Sequence, residues 1–325
     1  MKIILIVACI IIVLLALISL ASFTIITKEI KGFFGGRADR TAYTLQDRKV
    51  SDFKKLKCQE FTFLSSGEIL KGKIYYNKKP DGDIILICHG YGAGHEAYLT
   101  EINSFVTNGY TVVGFDYRGC VNSGGKLTHF GAPIEDLKCC YDYLKQNLNL
   151  ENRKLYLWGH SWGAYTALCG SAFIKAEKII AMCPFNTPVQ VLTKFTYPKE
   201  KFLSIILKPF RAIYLKIKFG KYSNYSSFKA VEKSGIKTLI ILGKQDMVAP
   251  KFNYKFNSKQ VKVISLDGKG HNPYNTIKAE RYLNQTLYNL TQTKDLLKTL
   301  AEVDYDLITQ EDERVLQLML DFYKF

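Results

Sequence analysis

Leu155-Tyr156-Leu157-Trp158-Gly159-His160-Ser161-Trp162-Gly163-Ala164-Tyr165-Thr166-Ala167-Leu168 is the stretch whose reading decides the fold. Its first half is a short apolar run of the kind that forms a buried strand, and a helix-compatible run begins directly after Ser161. The serine therefore occupies a tight strand-to-helix corner. Small residues at Gly159 and Gly163 let the backbone take a strained turn and let strand and helix approach closely, which projects the Ser161 hydroxyl into a cleft. Ser161 is the candidate nucleophile.

Working outward, residues 61–64 and 69–76 read as a first strand pair joined by Ser65-Ser66-Gly67, and residues 83–88, 111–116, 154–158 and 178–183 are short β-rich runs. Helical patterns lie between them over residues 96–108, 133–148 and 162–174. Strand alternating with helix predicts an α/β fold, a mostly parallel twisted sheet with helices on both faces and catalytic groups gathered at the carboxyl ends of the strands. The sheet resumes at residues 238–242 and ends with a strand over 262–266 and a core helix over 273–290. A chain of 325 residues fits one catalytic domain with accessory segments.

A serine hydroxyl is a poor nucleophile near neutral pH and needs a base, and the base needs a group to orient it. His271 follows the last strand in the loop Leu266-Asp267-Gly268-Lys269-Gly270-His271-Asn272, where an imidazole can swing over the cleft. Asp246, in the loop after the preceding strand, is the candidate orienting carboxylate; Asp267, nearer to His271 in sequence, is its rival. A carboxylate from a separate strand end is better placed to pin the far ring nitrogen, which favours Asp246. Acyl transfer also needs amides aimed at the developing oxyanion. Trp162 N–H, at the start of the elbow helix, is one; Tyr91 N–H, preferred to that of Gly92 in the loop His89-Gly90-Tyr91-Gly92-Ala93-Gly94, is the other, with His89 and Gly90 in support.

With nucleophile, acid and histidine in that order, residues 56 to 291 resemble the α/β-hydrolase family, most closely small membrane-anchored serine hydrolases of the esterase and prolyl-oligopeptidase-like branch. The loop beginning His89-Gly90 resembles that family's oxyanion loop, and Phe115-Asp116-Tyr117-Arg118-Gly119 its loop after the next strand. Where the family usually continues with a second glycine, this chain has Cys120-Val121-Asn122, a departure that touches loop shape. The resemblance implies a two-step acyl transfer on an ester or amide without metal or cofactor. Three rival readings stay open: an esterase or lipase-like enzyme on an apolar acyl substrate, a serine peptidase or acyltransferase, and a membrane-tethered binding protein on an inactive scaffold.

The remaining sequence organises around a membrane. No charge occurs from residue 3 to 26, a run long enough to cross a bilayer. Its length favours an anchor over a removable signal cut near Ser19-Leu20-Ala21. Lys28, Lys31, Arg37 and Arg40 follow the span and only Lys2 precedes it, which by the positive-inside rule leaves the bulk of the chain cytosolic, with an extracytoplasmic placement as the alternative. Residues 1–27 are thus read as the anchor, 28–55 as a polar linker, 56–188 and 237–291 as the two parts of the hydrolase core, 189–236 as a cap and 292–325 as a helical extension. The cap carries ten Lys and Arg against Glu200 and Glu232, with nine aromatics including Phe195, Tyr197, Phe202 and Tyr214. Such a segment predicts a helical lid lining an apolar pocket and facing anionic lipid.

The formal charge of +16 fits that surface, and no nucleic-acid motif accompanies it. Eight cysteines form neither a C-x-x-C pair nor a metal-like cluster with His, and read as core thiols of a reducing compartment. In the extension, Leu296, Leu300, Val303 and Leu307, then Val315, Leu316, Met319, Phe322 and Tyr323, form apolar stripes expected to fold back on the domain.

Overall fold

The computed structural model describes residues 2–39, 45, 48–196, 201–220 and 222–325; Arg40, Tyr197 and Glu200 lie outside the described residues. The strands are β1 (Lys57–Ser65), β2 (Glu68–Tyr76), β3 (Ile84–Cys88), β4 (Thr111–Phe115), β5 (Leu155–His160), β6 (Lys178–Met182), β7 (Lys237–Gly243) and β8 (Val261–Leu266). They form one eight-stranded sheet in the order β1-β2-β4-β3-β5-β6-β7-β8. β2 pairs antiparallel with β1 and β4, and all pairings from β4 through β8 are parallel. Ser66 and Gly67, both at positive φ, make the two-residue turn of the opening hairpin. β3, β4, β5 and β6 are buried at every residue, as expected of parallel strands covered on both sides.

Each sheet face has its own cover. Ile84, Leu86 and Cys88 point into the cluster built with α3 (Ala132–Asn147) and α4 (Trp162–Gly170); Ile85 and Ile87 point into the cluster with α2 (Leu99–Thr107). α5 (Pro188–Phe195), α6 (Lys201–Phe219) and α7 (Ser227–Ser234) follow β6, so the basic, aromatic stretch is helical. The carboxyl-terminal part is α8 (Ile277–Gln292), α9 (Leu296–Ala301), α10 (Tyr305–Ile308) and α11 (Glu313–Lys324).

Two expectations need correcting. α1 runs from Lys2 to Phe33 without a break, so residues 28–33 are helix rather than linker, and Ile26, Glu29, Ile30, Phe34 and Ala38 are buried in the domain. The composition of this stretch is polar, but Ile26, Glu29, Ile30 and Phe33 share one helical face, and that face packs on α6 and the core. The second concerns which helix closes the sheet face. Leu283 and Leu290 of α8 join a small satellite cluster with Leu45 and Ile308, and it is α11 that brings Val315, Met319, Leu320 and Tyr323 onto the sheet. The Tyr323 hydroxyl donates to the Leu157 carbonyl at 2.9 Å, and Lys178 Nζ caps the end of α11 on the carbonyls of Phe322 and Tyr323 at 2.9 and 3.1 Å.

Two buried carboxyls, Glu101 and Glu311, meet where α2 packs beside the start of α11. Burial, with the charge of Glu311 added, raises the pKa of Glu101 on α2, and burial pushes Glu311, bonded to Ser104, up to about 7. A carboxyl raised in the folded state stabilises below its unfolded pKa and loses that contribution as pH rises through the folded one. The thermal midpoint is therefore expected to fall as pH rises from about 4.5 to about 7 and to level off above that, by an amount on the order of 1 kcal/mol or more. Melting curves of Glu311→Gln, whose amide does not titrate, should show a weaker dependence, with buried Glu101 left to supply the remainder.

Candidate active site

Ser161 has φ 56° and ψ −117°, a left-handed backbone that a serine adopts only when its surroundings enforce it. Two close approaches do so. A Cβ on Gly163 would lie 1.8 Å from the Cys88 carbonyl oxygen, and one on Gly159 would lie 2.4 Å from that of Gly163. Strand and helix are thus locked at a separation only glycine permits. Ser161 N–H donates to the Met182 carbonyl at 2.8 Å, tying the corner to β6.

The loops after β7 and β8 bring the other two residues together. Asp246 Oδ2 accepts from His271 Nδ1 at 2.9 Å, while Oδ1 accepts from the amides of Val248 and Ala249 at 2.7 and 2.9 Å. Burial alone pushes the Asp246 carboxyl up, but the hydrogen bond and charge of His271, helped by the two amides, outweigh it and hold the group well below the usual carboxylate range. Asp267 points elsewhere, exposed and paired with Lys244 at 2.8 Å. The Ser161 hydroxyl and the His271 imidazole share no hydrogen bond; the imidazole stands beside the elbow, its centroid 4.8 Å from that of His160. Ser–His bonds of this kind commonly tighten only once a substrate is bound.

His160 is more than a spacer in the elbow. Its Nε2 donates to the His271 carbonyl at 2.8 Å, and its Nδ1 accepts from the Tyr98 hydroxyl at 2.9 Å, which in turn accepts from Gly90 N–H at 3.0 Å. A carbonyl only accepts, so the proton sits on Nε2 and the direction of the chain follows. Burial, with the charge of the His271 ring added, pushes His160 down to about 3 and keeps it neutral. One buried relay thereby joins the elbow, the His271 loop and the loop of Tyr91.

That last loop is braced underneath. His89 donates from Nδ1 to the Gly90 carbonyl at 2.7 Å, accepts the Tyr117 amide on Nε2 at 3.0 Å and stacks on the Tyr117 ring. His95 and Asp116, both buried, pair at 2.7 Å where the same loop enters its helical turn. Trp162 N–H belongs to the first turn of α4, where amides have no intrahelical acceptor.

Two supporting residues escaped the sequence reading. Glu280 on α8 accepts the Gly270 amide at 2.7 Å and the Asn272 amide at 3.4 Å, gripping the backbone on either side of His271. Lys194 on α5 donates to the Met247 and Ala249 carbonyls at 2.7 and 2.6 Å, fixing the Asp246 loop from the cap. Neither belongs to a motif, and each is defined only by a partner distant in sequence. A cleft of about 800 Å³ flanks His271, lined by Met247, Val248, Glu280 and Leu287 among others, and Ser161 is not in its wall. Among the described residues one group could approach a metal: Cys183, Asp246 and His271, whose donor atoms lie within 4.8 Å of one another. Asp246 and His271 are already bonded to each other, and burial, then the charge of Asp246, pushes the Cys183 thiol well up.

Residues 79–233 match the sequence model of the serine aminopeptidase S33 family. Among curated proteins, the lysophosphatidylserine lipase ABHD12 of Danio rerio is 31% identical over 138 residues, 40% of this chain and 32% of that one. The uncharacterized protein YqkD of Bacillus subtilis is 29% identical over 174 residues, 51% of this chain and 56% of that one. The chain thus spans between about a third and just over half the length of these relatives. Among solved structures, the Pyrococcus furiosus esterase PF2001 superposes with a TM-score of 0.56 at 19% identity, covering 81% of this chain and 99% of that one. Est1E of Butyrivibrio proteoclasticus, solved with ferulic acid bound, gives 0.51 at 16%, covering 82% and 100%. Strand order, elbow and these likenesses agree that the chain has the α/β-hydrolase fold, with residues 79–233 similar to the serine aminopeptidase S33 family.

Proposed function

We propose that this protein is a membrane-anchored serine hydrolase that cleaves carboxylic esters of apolar, lipid-like acyl groups. The observation that carries the reading is the Asp246–His271 hydrogen bond beside a strained Ser161 elbow. Ser161 Oγ attacks the ester carbonyl as His271 Nε2 takes its proton; Asp246 holds Nδ1–H and stabilises the imidazolium. The carbonyl oxygen becomes an oxyanion held by the Tyr91 and Trp162 amides. Collapse expels the alcohol, which receives the proton from His271, and leaves an acyl-enzyme. Water, deprotonated by His271, then releases the acid and restores Ser161.

The lipid-like substrate is supported by α1 and α6 together. α1 has 32 residues, about 48 Å at the rise of a helix, against about 30 Å of bilayer hydrocarbon. Its large apolar side chains from Ile3 to Leu14, and those of Leu17, Ile18 and Leu20, are exposed. α6 buries Ser204, Leu207, Arg211 and Leu215 and exposes Phe202, Ile205, Ile206, Ile213 and Ile217 among Lys208, Lys216 and Lys218, the pattern of a helix lying in a membrane interface near anionic lipid. Lys28, Lys31 and Arg37 after the span favour the cytosolic side. The lysophosphatidylserine lipase named above is a relative of matching chemistry.

A peptidase is the second reading, favoured by the description of the matched family. Turnover of short and long p-nitrophenyl esters and of lysophospholipid in mixed micelles, compared with aminoacyl amides, separates the two. Ester cleavage is expected, and amide cleavage without ester turnover would reject the lipase reading.

A further inference from the structure

The end of α1 is fastened to the same two residues whose amides we assign to the oxyanion. The Tyr91 hydroxyl donates to the Phe33 carbonyl at 2.8 Å, and its ring lies on that of Trp162 with centroids 5.3 Å apart and planes 27° from parallel. Phe34 stands 6.1 Å from the Trp162 ring and edge-on to Phe130 at 4.8 Å. The Trp162 indole N–H donates to the Phe130 carbonyl at 3.2 Å, closing the cluster.

Beyond Phe34 the chain is stitched down by its backbone. Gly35 N–H donates to the Leu127 carbonyl and Leu127 N–H to that of Gly36, both at 2.9 Å, and Ala38 N–H donates to that of Gly119 at 2.7 Å. Arg37 donates to the carbonyls of Val121 and Ser123 at 2.7 and 3.0 Å. Residues 33–39 are therefore fastened to the loop of Tyr91 and Gly92 and to the loop after β4, continuous with the helix read as the membrane span.

We propose that residues 33–39 position the oxyanion hole, with the Tyr91 side chain as the positioning residue that carries their hold to the Tyr91 amide. The inference rests on the catalytic reading given above for Ser161, His271 and the two amides. Its physical basis is the softness of the loop itself. Gly92 and Gly94 sit at φ 67° and 69°, and a backbone this rich in glycine does not fix an amide direction alone. An oxyanion donor is effective only when held to within about half an ångström of its place before the charge develops. The Tyr91 side chain is held twice, its ring on Trp162 and its hydroxyl on Phe33, so the Cα and the amide next to it are tethered to the end of α1. The span is thereby part of the catalytic apparatus as well as an anchor.

The test uses the full-length protein in detergent micelles and the variant Tyr91→Phe, which keeps the ring and removes the hydroxyl. kcat for a long-chain p-nitrophenyl ester is expected to fall about tenfold with KM within about twofold. Affinity for an alkyl trifluoromethyl ketone, whose serine adduct carries an oxyanion, should weaken by the same factor. The thermal midpoint should stay put, which a merely structural role for the hydroxyl would not allow. Thr27→Val, which removes the 3.1 Å bond from the same helix to Tyr214, should leave all three unchanged. Wild-type kcat and inhibitor affinity in Tyr91→Phe, with Ser161→Ala inactive, would overturn the positioning role and leave the catalytic reading standing. Full turnover in Ser161→Ala would overturn that reading and this inference with it.

Discussion

Ser161→Ala is expected to abolish labelling by a fluorophosphonate probe and to lower ester turnover by roughly 10⁴- to 10⁶-fold, the loss typical when a triad nucleophile is removed. The residue left behind keeps the backbone contact to Met182 and the two flanking glycine approaches, so the fold should persist and the melting curve should not move. Asp246→Asn is expected to lose about 10⁴-fold. The amide can present a donor to His271 Nδ1, which favours the tautomer protonated on Nε2, and that nitrogen then has no lone pair for the serine proton. Asp267→Asn is the control. It is exposed and bound to Lys244, and kcat/KM should stay at the wild-type value. Retained labelling in Ser161→Ala would reject the serine mechanism, and a large loss in Asp267→Asn would move the acid role to its sequence neighbour.

The parts of this site that were legible in the sequence are those whose cause is local. A strand, a glycine, a serine and a second glycine specify the elbow within a few residues, and strand-end loops specify where an Asp and a His of the right order come to rest. The parts that were not legible have partners far along the chain. His160 takes its role from Tyr98, 62 residues away, and from the His271 carbonyl, 111 residues away. Glu280 on a helix surface reads as a solvated charge until its two amide partners are known. Residues 28–38 misled for a related reason. Glycine and lysine give them the composition of a linker, while their apolar face is spaced for a partner that arrives almost two hundred residues later, in α6. α8 misled through its own amphipathicity: a stripe predicts burial but not against which surface, and α9, α10 and Leu45 meet it before the sheet does.

The same long-range pairing makes the junction of α1 and α6 the place where one substitution should most damage the fold. Arg211 is fully buried and grips Glu29 through two bonds of 2.7 and 2.8 Å, with further bonds to the Ser204 carbonyl at 2.8 Å and Thr196 Oγ1 at 2.6 Å. Burying this pair is not itself a large source of stability, because desolvation of both ions offsets most of their attraction. Breaking it is another matter. Arg211→Met leaves the Glu29 carboxylate, whose side chain is 3% exposed, without a counter-charge, a loss of about 3–5 kcal/mol. For a domain of this size that corresponds to a drop of about 5–15 °C in the midpoint measured in detergent, with faster proteolysis across α5 to α7. The double variant Glu29→Leu, Arg211→Met removes both ions and should recover most of the loss, since Tyr214 still packs on Phe23 with ring centroids 5.7 Å apart and the apolar contacts of Ile26 and Ile30 remain. If the double variant is no more stable than Arg211→Met, the guanidinium matters through its bonds to Ser204 and Thr196 within the cap, and the pair with Glu29 is not what holds the span to it.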